Sequence, residues 1–233
     1  IFYLHVPIAW SGFLAYFFVM VSGICFLYTK NLKFDRIGLA SAEIGTIFTA
    51  LVLITGPIWA TPIWGQPWVW EPRLITTLVL FLIYIGYFIL RNVGLYRQRV
   101  ALVCAIIGII AFLNIPIIFA SVNFWAAEIQ SHPQLGMNKQ PSGILNPFLF
   151  SLLSFTSLMI FMLLLKIEVL KKKDVFALTV NGDSMINAGI NDNDILVVDR
   201  SIKPTHGKVI IAVLDGQMTV KRLYKQSGKI ILM

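Results

Sequence analysis

LITTLVLFLIYIGYFIL, residues 74–90, decides the class of fold. Its 17 residues carry no charge, and wound as a helix they are apolar on every face. A core helix of a soluble domain shows a polar stripe instead. Working outward, further charge-free runs cover 1–29, 44–70, 100–127 and 140–165. A helix needs roughly 20 apolar residues to cross a hydrocarbon core of about 30 Å. With Gly and Pro as punctuation, the runs predict five spans, near 8–29, 37–58, 74–91, 100–120 and 146–167. Composition agrees: 58% of the 233 residues are hydrophobic and 13% charged, with a mean hydropathy of +0.80. An average soluble domain is about 25% charged. A disordered tail, a collagenous repeat and an ordinary soluble enzyme are excluded.

The average hides two unlike blocks. Residues 1–165 hold 12 charged residues and 166–233 hold 18, although the net charge of +8 divides evenly. In the first block the basic residues report topology. Lys30, Lys33 and Arg36 follow the first span, Arg91, Arg97 and Arg99 the third, and Lys166 with Lys171 to Lys173 the fifth. The intervening loops carry only Arg73 and Lys139 as basic residues. The positive-inside rule puts the first set in the cytoplasm, leaving 1–7, 59–73 and 121–145 on the outer face. The polar block from 174 onward is then cytoplasmic. Cys25 and Cys104 form no CxxC or CxxCH pair, so neither a disulfide framework nor covalent haem attachment is expected.

The segment expected outside between the second and third spans is WATPIWGQPWVWEPRL, residues 59–74. Four of the six tryptophans, Trp59, Trp64, Trp68 and Trp70, fall within it. Trp64, Gly65, Pro67 and Pro72 predict a bent, stiff loop. An interfacial belt spreads Trp over all helix ends; this is one dense cluster. Flat rings beside Arg73 suit a flat apolar ligand with anionic groups at its edge. Two histidines share that side: His5 in YLHVPIAW, just before the first span, and His132 in QSHPQ, after the fourth. Haem iron takes two axial imidazoles and an Arg can pair with a propionate. The set suits haem better than zinc, because no Cys stands nearby as a third or fourth ligand.

LHVP near a span, WGxxWVWxxRL between spans and NIPIIFASVNFW before a later His resemble the CcmC-type haem-handling proteins of cytochrome c maturation, over residues 1–168. In this chain Pro67 and Glu71 stand where that family commonly has Trp and Asp. The resemblance implies axial ligation by His5 and His132, and a periplasmic haem platform of Trp64, Gly65, Trp68, Trp70 and Arg73. It implies non-covalent haem b, a bacterial inner-membrane location and a further helix before residue 1. Its implied partners are a haem chaperone of the CcmE type and ABC transporter subunits of the CcmA and CcmB type.

After a basic linker, 169–174, the text changes to short β-branched runs between Gly, Asn, Asp and Pro, which predict strands and turns. VIIAVL-DG-QMTVKRLY predicts a hairpin, Asp215-Gly216 suiting a type I′ turn. Charges of both signs are mixed here, which describes a solvated surface rather than a nucleic-acid site. GDSMINAGINDNDILVVDRS and TVKRL resemble the LexA and UmuD group of S24 serine peptidases over 175–233. The resemblance implies a Ser184–Lys221 dyad for self-cleavage of the SOS-response type, and dimerisation through this block. A Lys serves as the base only when neutral. The family cuts at an Ala-Gly or Cys-Gly upstream of the Ser; here the one Ala-Gly, Ala188-Gly189, is downstream.

The expected molecule is an α-helical membrane protein of about five transmembrane helices with a small, incomplete, mainly-β cytoplasmic C-terminal domain. Its expected role is haem binding and delivery, without catalysis in the membrane part. A membrane-tethered autopeptidase, or a non-functional fusion of two truncated genes, are the alternatives.

Overall fold

A computed structural model describes residues 1–93, 97–124, 141–173, 175–200, 202, 204–214, 217–226 and 229–233. The chain divides into two compact units, Ile1–Ile167 and Glu168–Met233. Six helices come first: α1 Phe2–Thr29, α2 Leu32–Trp64, α3 Pro72–Val93, α4 Arg97–Phe112, α5 Asn114–Phe124 and α6 Ser142–Lys173. Among the described residues five stretches are long and apolar enough to cross a membrane, α4 and α5 together making the fourth. The break falls at Leu113, whose N–H turns to Ile110 O at 3.0 Å. Pro116 is the cause, since it cannot donate to Phe112 one turn back.

The helices run beyond the predicted spans. α1 already includes His5, expected just before it, and α2 continues past residue 58 through Pro57 and Pro62 to Trp64. Trp64, expected in the loop, is the last helical residue. Helix is favoured because backbone polar groups in hydrocarbon must be satisfied within the protein, so a proline is accommodated rather than obeyed. Pro7 shows how: it cannot donate to Tyr3 O, and the Ser151 hydroxyl of α6 donates there instead. Gly65, at φ +73°, then ends α2, its N–H bonding Thr61 O at 3.0 Å.

α1 packs along α2 and also on α4, while α3 packs on α4 and α5. The centre holds a parallel stack of Tyr16 on Tyr84, ring centroids 4.0 Å apart, with Tyr87 beside Tyr84. Near the chain turn between α1 and α2, Arg91 forms an ion pair with buried Asp35 and donates to the Tyr87 hydroxyl at 2.8 Å. Charge in a span is tolerated when paired in this way. Lys166 of α6 pairs with Glu43 of α2, and Met159 packs among Ile8, Ala15, Ile44 and Phe48.

In the second unit β1 Val175–Thr179 pairs antiparallel with β2 Ile195–Asp199. A separate antiparallel sheet has β3 Val209–Leu214, β4 Gln217–Gln226 and β5 Lys229–Leu232, in that order. Leu214 faces Gln217, the register the hairpin reading predicts, though Asp215-Gly216 lie outside the described residues.

Candidate functional site

One end of the helical unit holds a cavity of about 360 Å³, built from the first turns of α1 and α3, the last turns of α2, the loop after it and one residue of α5. α1 lines it at His5, Ala9 and Phe13, one turn apart each. Trp59 and Trp64 come from α2, Trp68 from the loop, and Arg73 and Thr77 from α3. The volume lies within the range of small-molecule sites, about 300–1,000 Å³, whose walls are mostly apolar with a few placed polar groups.

The polar groups are few and specifically placed. His5 Nδ1 lies 2.7 Å from Thr55 Oγ1 of α2. The His5 ring meets Trp59 edge to face, centroids 5.4 Å apart. Gly56 of α2 lies beside the same ring: a Cβ there would sit 3.6 Å from His5 Cε1, an ordinary van der Waals contact. Trp68 Nε1 is buried and has no hydrogen-bond partner among the described residues. An indole N–H is only a donor, so an acceptor is what the wall lacks. The Arg73 guanidinium lines the same space, and Glu71, two residues before it, is buried. Pro72, at the first position of α3, costs no hydrogen bond there and sets the direction in which Arg73 and Thr77 leave.

Of the residues singled out in the sequence, His5, Trp64, Trp68 and Arg73 meet around this cavity. Trp70 is 72% exposed and touches Trp68 edge to face. Gly65 serves as the helix cap, with open space where a Cβ would be. His132 lies outside the described residues. Thr55, Gly56 and Phe13 carried no local signal, because their roles depend on contacts across helices. Among the described residues no three His, Cys, Asp or Glu cluster as metal ligands. The arrangement offers one imidazole, aromatic walls and two donors for an anion.

The family model CcmC, described as Heme exporter protein C, matches residues 1–178. The chain belongs to the CcmC family. A second model, Peptidase S24-like, matches 159–233 and overlaps the CcmC match at the end of α6. A putative cytochrome c biosynthesis ccmC-like mitochondrial protein of Marchantia polymorpha is 42% identical over 125 residues, 54% of this chain and 52% of its own. Heme exporter protein C of Bradyrhizobium diazoefficiens is 31% identical over 177 residues, 74% of this chain and 67% of its own. The Escherichia coli K12 protein of that name is 32% identical over 155 residues, 66% and 63%. The chain thus spans about half to two thirds of the CcmC relatives it matches.

In the second unit Ser184 is exposed in the turn after β1, held open by Gly182 at φ +97°. Lys221 is half-buried on β4, opposite Ile210. Ser184 belongs to the turn between β1 and β2 and Lys221 to the other sheet, and they share no hydrogen bond among the described residues.

Proposed function

We propose that the membrane domain, 1–168, binds haem at its Trp-rich end and passes it to a haem chaperone during cytochrome c assembly. The observation that carries this reading is the convergence of His5, Trp68 Nε1 and Arg73 on one aromatic-walled cavity. The residues present fit haem on their own chemistry. Thr55 Oγ1 directs its proton to Leu51 O at 2.8 Å and so accepts from His5 Nδ1–H, which makes Nε2 the nitrogen with the lone pair. The unpartnered Trp68 N–H and the Arg73 guanidinium suit a carboxylate such as a propionate.

Haem b, bound without a covalent link, would supply an iron that imidazole nitrogens can hold. His5 is one ligand and His132 the other. Trp64, Gly65, Trp68 and Trp70 form the platform, and Arg73 orients the ligand's anionic edge. The clustering of Lys30, Lys33, Arg36, Arg91 and Lys171 to Lys173 supports a bacterial inner-membrane topology with the Trp-rich end periplasmic and residues 175–233 cytoplasmic, beyond a linker at 169–174. A CcmE-type chaperone and CcmA- and CcmB-type transporter subunits are the partners.

Purified protein loaded with haem shows a low-spin, bis-histidine Soret and α/β spectrum on this reading. His5→Ala combined with His132→Ala abolishes it. Retention of the spectrum in the double variant would falsify the assignment.

A further inference from the structure

The contact between His5 and Thr55 joins two residues 50 positions apart in sequence. It is short, at 2.7 Å, and Thr55 is buried. A hydroxyl carries one proton and two lone pairs. The Thr55 proton is committed to its own helix, to Leu51 O at 2.8 Å with Val52 O at 3.5 Å. With that proton on Leu51 O, Thr55 accepts toward the imidazole, which is the tautomer with the proton on His5 Nδ1. Trp59 meets the ring edge to face, and a Cβ on Gly56 would stand in ordinary contact with Cε1 at 3.6 Å. The last torsion of His is broad and roughly two-fold, so without a partner at Nδ1 the two nitrogens would exchange places readily.

We propose that Thr55 is a positioning residue: by accepting from Nδ1–H it fixes the tautomer and ring orientation of His5 and so presents Nε2 to the cavity for iron. The inference rests on the haem reading above and deepens it. Partners at the outer nitrogen of a ligating His hold the ring and raise its basicity, and their loss commonly costs 10–100-fold in metal affinity. A side chain that served only to pack α2 would leave the electronic properties of the bound haem unchanged.

The test uses the full chain in detergent, loaded with haemin, with Thr55→Val, Thr55→Ser, His5→Ala and Thr55→Val in the His5→Ala background. Thr55→Val keeps the shape and removes the acceptor. It raises the haemin Kd about 10–100-fold, raises the midpoint potential as the imidazole becomes a weaker donor, and mixes high-spin character into the spectrum. Thr55→Ser keeps the acceptor and holds Kd within about twofold of wild type and the potential unchanged. In the His5→Ala background Thr55→Val has no further effect. A wild-type Kd and potential in Thr55→Val, beside a His5→Ala variant that has lost the low-spin spectrum, overturns this inference alone. So does a Thr55→Ser variant as impaired as Thr55→Val. A full low-spin spectrum in His5→Ala overturns the ligand reading itself, and with it the role of Thr55.

Discussion

Trp68 concentrates the residue-scale argument. Its indole N–H is buried in the cavity wall with no partner among the described residues. Leaving such a donor unmade costs about 1–3 kcal/mol, which an acceptor on the ligand recovers. Trp68→Phe keeps a ring and removes the donor. The variant is expected to melt no earlier than wild type without ligand, to bind haem about tenfold more weakly, and to discriminate less than wild type between haem and haem dimethyl ester in absorbance titrations, Arg73 retaining part of the preference. Undiminished discrimination against the ester would sink the carboxylate role. The Trp cluster and Arg73 were legible in the sequence because density of one residue type in 12 positions is itself a signal. Thr55 was not, since a lone Thr in an apolar helix usually bonds back to its own chain, as Thr46 and Thr49 also do. Its second contact, to His5, exists only once α1 and α2 are side by side.

At the scale of elements, α1 and α2 approach closely because Gly45 leaves room for Tyr16. A Cβ on residue 45 would lie 2.7 Å from Tyr16 Cε1 and 2.8 Å from Cδ1. That ring cannot swing away: it is fully buried, its hydroxyl lies 3.1 Å from Thr49 Oγ1, and Tyr84 stacks on its face. Helix association in membranes relies on such small residues, apolar burial against lipid giving little. Gly45→Ala destabilises the unit by about 1–3 kcal/mol, the usual range for overpacking. Gly86→Ala, with nothing within 4 Å of its Cβ, is the neutral control. Thermal melts in detergent compare the two, and equal melting points would refute the close crossing. The five apolar runs gave the spans directly from the sequence, whereas their ends were misjudged. The second span, predicted to close near residue 58, runs on through Pro57 and Pro62 to Trp64, because helix remains the cheapest way to satisfy a backbone in lipid. The hairpin register of β3 and β4 was legible, because a two-residue Asp-Gly connection between the runs sets Leu214 opposite Gln217.

The whole molecule poses the question of what an S24-like block adds to a CcmC-family chain. The two family matches share residues 159–178, and α6 runs without a break from Ser142 to Lys173. Continuity of the helix tethers the start of the S24-like match to the membrane part. For self-cleavage Ser184 needs a base within about 2.6–3.2 Å and a peptide bond presented in extended form. The described residues supply neither: Lys221 belongs to the other sheet, and the Ala188-Gly189 bond is only four residues beyond Ser184. There it is curled into a turn by Ala188 N–H to Met185 O at 2.9 Å and Gly189 N–H to Ile186 O at 2.8 Å. A bond folded so close behind the nucleophile cannot reach back across it. Incubated at alkaline pH, the full chain is therefore expected to give no fragment cut between Ala188 and Gly189, and Ser184→Ala behaves identically at that bond. A shorter fragment that appears in wild type and not in Ser184→Ala would reverse this conclusion, and would require a partner chain or a rearranged second unit to deliver both the base and the bond to Ser184.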